Sequence, residues 1–190
     1  MDYGSLVEVE MPPIEMKDDD YYAPTIVRRR NNGIETRETK KGKHILVKNQ
    51  YKTVPGTFLI SRRQIIHRAC GIVPEGLSNA IISKEYLALK AKKKKLDIRY
   101  LYFHSLTHIF QLTIIRTTYG VDDEKFVFKD KWWMKEKMPL PPLKEQKKII
   151  DIFLSIDKKI IKTEKELNQL QQLKKGLMQD LLSGTVRVKV

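Results

Sequence analysis

The side chains that could carry out catalysis form few patterns in this sequence, and each pattern is incomplete. His104 and His108 are spaced like two metal ligands on one helical face, but no glutamate lies between them and no third ligand is evident. A metal-dependent nuclease needs two carboxylates and a lysine around its metal ion. Glu38 and Lys40 supply part of that set, yet no strand-borne aspartate precedes them. A metal-dependent nuclease is therefore a minor alternative.

Other catalytic signatures are missing from the sequence. A methyltransferase that acts on amino groups needs an Asn/Asp-Pro-Pro-aromatic loop, and Met11-Pro12-Pro13-Ile14 lacks both the amide and the aromatic ring. No glycine motif for S-adenosylmethionine and no P-loop is found. Cys70 is the only cysteine, and its apolar neighbours predict a small buried residue. The sequence predicts a binding protein, with no cofactor of its own.

Charge is the clearest indication of what this chain binds. Its 190 residues carry a formal net charge of +14, with a pI near 9.7. Residues 1–26 hold seven acidic side chains against Lys17, a net of −6, which leaves +20 for residues 27–190. Such a field attracts polyanions, so we expect nucleic acid first and an anionic membrane surface second. His104 and His108 then either pack in the fold or face DNA.

The C-terminal part of the chain predicts one long helix, Leu143 to Leu182. Pro141 and Pro142 suit its first turn, Glu145 complements its N-terminus, and Ser183-Gly184 ends it. Its 40 residues would span roughly 60 Å. Apolar residues recur at alternating steps of four and three, which predicts a partner helix of similar length. We call these positions the seam, and Thr163 and Lys174 complete its register: Ile149, Phe153, Ile156, Ile160, Leu167, Leu170, Leu177 and Leu181.

The preceding residues predict a curled antiparallel sheet with one helix. Strand-like runs at 25–30 and 34–39 flank Asn31-Asn32-Gly33, a strong hairpin signal. A helix is predicted from Ile98 to Ile115, with Asp97 as its N-cap. Further strands are expected at 44–47, 57–61, 64–73 and 80–89. We therefore predict an α+β fold, with a twisted antiparallel β-rich domain at 1–138 and a long coiled-coil-like helix at 139–190.

Two stretches of the sequence resemble a known family. VRRRNNGIETRETKKGKHILVKNQYKTVPGTFLISRRQIIHRACGIVPEGLSNAIISKEYLAL, followed by LDIRYLYFHSLTHIF, resembles one class of target recognition domain in the specificity subunits of type I restriction-modification systems. KMPLPPLKEQKKIIDIFLSIDKKI and LQQLKKGLMQDLLSGTVRV resemble the spacer helix that follows such domains. Ordinary members carry two domains and two helices, so the chain resembles a half-length form.

The resemblance implies a function and a set of partners. The domain would recognise one half of a split double-stranded DNA site, and the helix would set the distance to the other half. Methylation of adenine with S-adenosylmethionine would belong to modification subunits, and ATP- and Mg-dependent cleavage to restriction subunits. We expect this chain to form an antiparallel homodimer on a palindromic split site. The acidic N-terminus and the absence of a long apolar run predict a cytoplasmic protein.

Residues that contact DNA are expected around the turn that follows the buried strand at 57–61. Candidate base contacts are Arg62, Arg63, Gln64 and His67, supported by Arg28, Arg30, Lys43 and Arg116 at phosphates. A stand-alone DNA-binding regulator, dimerised through the same helix, is the main alternative.

Overall fold

The computed structural model describes residues 1–77, 79–92, 94–120 and 127–189. The fold is α+β, as predicted, and the chain divides into two compact units, Met1–Lys147 and Lys148–Val190. This boundary lies C-terminal to the predicted one at residue 138. The α-helices in chain order, α1 to α5, are Tyr3–Leu6, Ile98–Ser105, His108–Thr117, Asp130–Trp133 and Leu143–Leu182.

The strands of the first unit are short and belong to several sheets. In chain order, β1 to β12 are Val7–Val9, Pro13–Ile14, Tyr21–Val27, Ile34–Thr36, Lys40–Lys41, Gln50–Lys52, Phe58–Ser61, Cys70–Ile72, Ala80–Ser83, Tyr86–Ala91, Thr118–Tyr119 and Val127–Phe128. Within the described residues, one sheet has the order β1-β10-β7-β8 and another the order β2-β6-β9-β3-β4, with β5 also paired to β3. Strands β11 and β12 form a separate pair.

The predicted hairpin around Asn31-Asn32-Gly33 is present, because β3 and β4 pair antiparallel with Val27 opposite Ile34. The expectation of one curled antiparallel sheet was too simple. Residues 80–89 break into β9 and β10 at a turn, and these two strands join different sheets. Strand β9 also pairs in parallel with β3, with Ala23 opposite Ala80.

Two of the predicted strands are partly or wholly turns. In residues 64–73 only β8 is a strand, because Ile65–His67 is a 3-10 helix that ends at Arg68 with a left-handed φ of 58°. In residues 44–47 no strand forms, since the chain leaves the 3-10 helix Gly42–His44 as a loop. Backbone hydrogen bonds from distant segments accompany both departures, since Asn31 N donates to Arg68 O and Lys43 N donates to Asp18 O.

The predicted helix from Ile98 to Ile115 is two helices, α2 and α3. Asp97 caps α2 as expected, since its Oδ1 accepts a hydrogen bond from Arg99 N at 3.0 Å. A second cap interrupts the run, because Thr107 Oγ1 accepts from Phe110 N at 3.3 Å. The interruption changes the helical phase, so Ile109 is exposed and does not share the buried face of α2.

The core of the first unit includes an aromatic cluster that links the N-terminal segment to α3 and α4. Tyr3 stacks on Trp133 with ring centroids 4.1 Å apart, and Phe110 meets Trp133 edge-on. Trp133 Nε1 donates to Thr113 Oγ1 at 3.2 Å, and the Tyr3 hydroxyl lies 2.8 Å from His104 Nε2. Every polar atom in these contacts therefore has a partner, which is what makes their burial tolerable.

His104 is buried and neutral, and this predicts a pH dependence of stability. Desolvation lowers the pKa of His104 from 6.5 to about 4. Between those pH values the unfolded chain binds the proton that the folded chain rejects, so acid favours unfolding. We expect the free energy of unfolding contributed by this residue to fall as the pH drops from 6.5 towards 4.

Urea unfolding at a series of pH values measures this effect. His104→Gln should remove that part of the pH dependence, whereas the same change at exposed His44 should leave it in place. An identical pH dependence in wild type and His104→Gln would show that the pKa of His104 does not differ between the folded and unfolded states.

Helix α5 runs from Leu143 to Leu182 over 40 residues, and both predicted ends are confirmed. Its first turn is held by the buried Gln146, whose Nε2 donates to Lys95 O and Pro141 O and whose Oε1 accepts from Asp97 N. Gly184 follows the last turn with a left-handed φ of 77°. Among the helices in the described parts of the chain, none has the length and apolarity to cross a membrane.

Candidate nucleic-acid interface

The turn between β3 and β4 presents three consecutive exposed arginines, Arg28, Arg29 and Arg30. We call residues 28–33 the arginine turn. Its backbone is closed by Arg28 N donating to Gly33 O at 2.9 Å, and it includes the 3-10 helix Arg29–Asn31. The hairpin therefore ends in a compact cationic tip rather than in a two-residue turn.

The arginine turn is bonded to a second turn, residues 64–68, which follows β7. Asn31 N donates to Arg68 O at 2.9 Å, Arg29 Nε donates to Gln64 Oε1 at 2.7 Å, and Asn31 Nδ2 donates to Cys70 O at 3.1 Å. The two turns thus form one braced unit, which we call the paired turns. An open cleft between them is lined by Arg29, Arg30, Ile66, His67 and Arg68.

The backbone of the paired turns is unusual. Arg30, Asn31 and Arg68 have φ values of 59°, 55° and 58°, in the left-handed region. Asparagine tolerates this region, but for a long side chain it costs about 1–3 kcal/mol. The hydrogen bonds between the turns hold both arginines in this conformation.

The paired turns bring together four of the predicted DNA contacts, Arg28, Arg30, Gln64 and His67. The cleft is also lined by Arg29 and Arg68, which were not among the predicted contacts. The run of three arginines was a usable signal for Arg29. No local pattern marks Arg68, because its place in the cleft depends on the bond to Asn31, 37 positions earlier in the chain.

Arg62, the first predicted base contact, is half-buried, and its guanidinium is bonded to other parts of the protein. Its guanidinium donates to the carbonyl oxygens of Lys84 and Tyr86 and pairs with Asp130 Oδ2 at 2.8 Å. These bonds join the end of β7 to the start of β10 and to α4. Arg62 therefore has a structural role in this fold.

Three further predicted contacts take part in exposed ion pairs. Arg63 Nε lies 2.6 Å from Glu85 Oε2 and lowers the pKa of that carboxyl group, chiefly through their hydrogen bond. Arg28 pairs with Glu35, and Arg116 Nη1 lies 3.3 Å from Glu136 Oε2. Exposed pairs contribute little to stability, so a phosphate can replace the carboxylate at modest cost.

The second cationic surface is the loop at residues 42–50, which carries the predicted contact Lys43. Gly42 lies against the backbone at Lys17, where an added Cβ would come within 2.0 Å of the carbonyl oxygen. Lys43 N donates to Asp18 O at 3.0 Å, and Lys48 Nζ bonds both Asp18 Oδ1 and Gly42 O. The loop is therefore braced, and it presents the side chains of Lys43, His44 and a 95% exposed Leu46.

The two histidines considered as metal ligands do not share a site. His104 is buried against Tyr3 whereas His108 is exposed, so the two do not face a common ligand. In the part of the chain that the structure describes, no group of three or more His, Cys, Asp or Glu side chains is placed to hold a metal ion. Cys70 is buried, as predicted, and burial raises the pKa of its thiol to about 11.

Comparison with known families identifies the family of this chain. Residues 5–172 match the family model of the type I restriction modification DNA specificity domain. The chain belongs to this family. A curated member, the type I restriction enzyme MjaVIII specificity subunit of Methanocaldococcus jannaschii, is 32% identical over 98 residues, which are 52% of this chain and 23% of that protein.

Solved structures show the same fold as this specificity domain. The HsdS subunit from Thermoanaerobacter tengcongensis superposes with a TM-score of 0.69 at 13% identity, covering 94% of this chain and 47% of that one. A chain from structural work on complex assembly and conformational transition of the type I R-M system gives a TM-score of 0.65 at 14% identity, covering 100% and 50%. This specificity domain therefore spans about half the length of the solved structures that it matches.

Proposed function

We propose that this chain is a non-catalytic subunit that recognises one half of a split double-stranded DNA site for a type I restriction-modification system. Two copies associate through antiparallel α5 helices and recognise the two halves of a palindromic site. The dimer holds the methyltransferase subunits on the DNA, and restriction subunits join the same assembly. S-adenosylmethionine, ATP and Mg belong to those partners, and the complex works in the cytoplasm.

The observation that carries this proposal is the exposed seam of α5. The seam residues from Phe153 to Leu181 are each 40% to 63% exposed. A monomeric soluble protein rarely leaves an apolar stripe of this length in water. A second copy of the same helix has the matching length and spacing to cover it.

An antiparallel pair accounts for all ten seam positions in a single register. When Thr163 is placed opposite Leu167 of the second chain, Ile149 meets Leu181 and Phe153 meets Leu177. Ile156 then meets Lys174, and Ile160 meets Leu170. A shift by one heptad would leave seam residues beyond the end of the partner helix, so this register buries the most apolar surface.

The charge on the seam favours the antiparallel direction. In a parallel pair Lys174 would lie against Lys174 of the second chain, and like charges in contact at an interface cost several kcal/mol. In the antiparallel register each Lys174 meets an isoleucine instead and can extend its amine to solvent. The antiparallel pair also relates two DNA-binding domains by a two-fold axis, which suits a palindromic site.

The DNA-binding part of the proposal rests on charge and on two braced surfaces. The +20 net charge of residues 27–190 is placed in part on the paired turns and the loop at 42–50. Phosphate contacts set the position of a protein on a duplex, and base contacts supply sequence preference. Because hydrogen bonds already order these turns, DNA binding through them loses little conformational entropy.

Mapping methylated adenines tests the proposed function. The chain is co-expressed with a type I modification subunit that binds it, and genomic DNA is compared with that of cells lacking the chain. A symmetric split motif that appears only with the chain supports the homodimer. An asymmetric motif would replace the homodimer by a pair of different halves, and unchanged methylation would overturn the proposal.

Lys43→Ala should weaken DNA binding in a way that depends on salt. Loss of one phosphate contact lowers the slope of log K against log salt concentration by about 1 and weakens all sequences alike. Fluorescence anisotropy over a series of KCl concentrations measures the slope. Lys158→Ala removes another exposed charge, from α5, and is the control. Equal slopes for both variants would remove Lys43 from the interface.

A further inference from the structure

Arg30 and Arg68 occupy positions where glycine would be less strained. Both have left-handed φ values, 59° and 58°, and glycine adopts this region without a steric penalty. They lie in the two halves of the paired turns, whose backbones are joined by the bond from Asn31 N to Arg68 O. Two strained arginines in one small cleft need an explanation.

The fold itself does not use these two side chains. Arg68 closes its turn through its backbone, with its N–H donating to Ile65 O at 2.8 Å, and glycine would make the same bond. Both side chains are exposed. Within residues 1–77, 79–92, 94–120 and 127–189, neither guanidinium takes part in a hydrogen bond or an ion pair. In contrast, Arg28, Arg62 and Arg63 all have acidic partners.

We propose that Arg30 and Arg68 are specificity-determining residues and that Arg68 contacts the O6 and N7 atoms of a guanine in the major groove. This rests on the proposed function, since it names the base contact that the DNA-binding domain makes. A guanidinium matches the two acceptors of guanine better than any other side chain. The left-handed turn, braced by Asn31, fixes the direction of the Arg68 Cα–Cβ bond before DNA arrives.

Arg30 supports this contact from the facing turn. It lines the same cleft and carries the second unpaired charge, which favours a phosphate or a base next to the guanine. His67 and Ile66 complete the lining, so the cleft combines donors with one apolar surface. The half-site recognised by this chain should therefore contain a guanine whose replacement is poorly tolerated.

The test uses in-vitro selection from a random duplex library with the full chain as wild type, Arg68→Gly and Arg68→Lys. Wild type should enrich a motif with an invariant guanine. Arg68→Gly should keep or raise the melting temperature, yet lose roughly 5- to 150-fold in affinity for the enriched duplex. Arg68→Lys keeps the charge and should lose the guanine preference while retaining the salt dependence.

Asn79→Gly is the matched control for strain. Asn79 also has a left-handed φ, 49°, and its change to glycine should leave both affinity and motif unchanged. A second measurement replaces the enriched guanine by 7-deazaguanine, which lacks the N7 acceptor. This should weaken the wild type and leave Arg68→Gly unaffected.

Each outcome decides a separate point. If Arg68→Gly and Arg68→Lys enrich the same guanine with unchanged affinity, the proposed role of Arg68 is wrong and the proposed function stands. If Arg68→Gly melts earlier, the strain argument is wrong, and Arg68→Lys then decides the guanine contact alone. If the wild type enriches no motif, the proposed function itself is overturned.

Discussion

Leu177→Asp is expected to convert the proposed homodimer into monomers of 22.3 kDa. In the antiparallel register Leu177 meets Phe153 of the second chain, and symmetry places the substitution in the interface twice. Loss of a buried leucine costs about 2–5 kcal/mol, so the two sites together remove at least about 4 kcal/mol. That corresponds to a dimer weakened by roughly 10³-fold. Light scattering coupled to size exclusion measures the mass directly.

Gln172→Asp is the matched control, since it adds the same charge to the same part of α5 away from the seam. It should leave the dimer intact, and the circular dichroism of both variants should show an unchanged helix content. If both variants remain dimeric, a surface other than the seam joins the chains. If wild type itself elutes as a monomer, the homodimer is excluded.

A single engineered cysteine distinguishes the antiparallel register from a parallel one. In the antiparallel pair the two copies of residue 160 are ten positions apart along the helices, roughly 15 Å. A disulfide needs Cα atoms within about 7 Å, so Ile160→Cys alone should not crosslink. Ile160→Cys combined with Leu170→Cys should crosslink fully under mild oxidation, because these positions face each other. Native Cys70 is buried and will not compete.

Trp133→Ala should destabilise the first unit by about 3–5 kcal/mol. The Trp133 side chain is fully buried, stacks on Tyr3 and donates a hydrogen bond to Thr113. Its removal leaves a large cavity in the centre of the aromatic cluster, and Thr113 Oγ1 loses the donor Trp133 Nε1 while keeping its own hydrogen bond to Phe110 O. Because Tyr3 packs against the same ring, the N-terminal segment should loosen together with α4.

The adjacent tryptophan is the natural control. Trp132 is 56% exposed, so Trp132→Ala should change the free energy of unfolding by less than about 1 kcal/mol. Urea unfolding followed by circular dichroism measures both variants. Equal losses at the two positions would mean that the aromatic cluster does not govern the stability of this unit.

Features that depend on neighbouring residues in the sequence were predicted correctly. The bounds of α5 follow from Pro141-Pro142, a sustained heptad pattern and Gly184. The capping role of Asp97 and the pairing of β3 with β4 have signals of the same kind. Proline, glycine and capping residues act within a few positions, so a single sequence is enough to locate them.

Features that depend on distant residues were not predictable in this way. Arg62 looked like a free base contact, but its partner Asp130 lies 68 positions away. The separation of β9 from β10 depends on which other strands each one pairs with.

One error had a local cause. The predicted helix from Ile98 to Ile115 divides because Thr107 caps α3. The apolar spacing runs through this cap, so the prediction treated the two helices as one.

The sequence by itself therefore determined the family, the α+β class, the long helix and its seam, and the cationic character of the domain. Only the tertiary structure decided which cations are available to a ligand. Arginines are alike in a sequence, but Arg62 is held by Asp130 and by two backbone carbonyl oxygens, whereas a strained turn leaves Arg68 exposed in a cleft. The reason is physical. Composition sets the number of charged side chains, whereas the contacts that leave a given side chain free to bind a ligand form only when the chain folds.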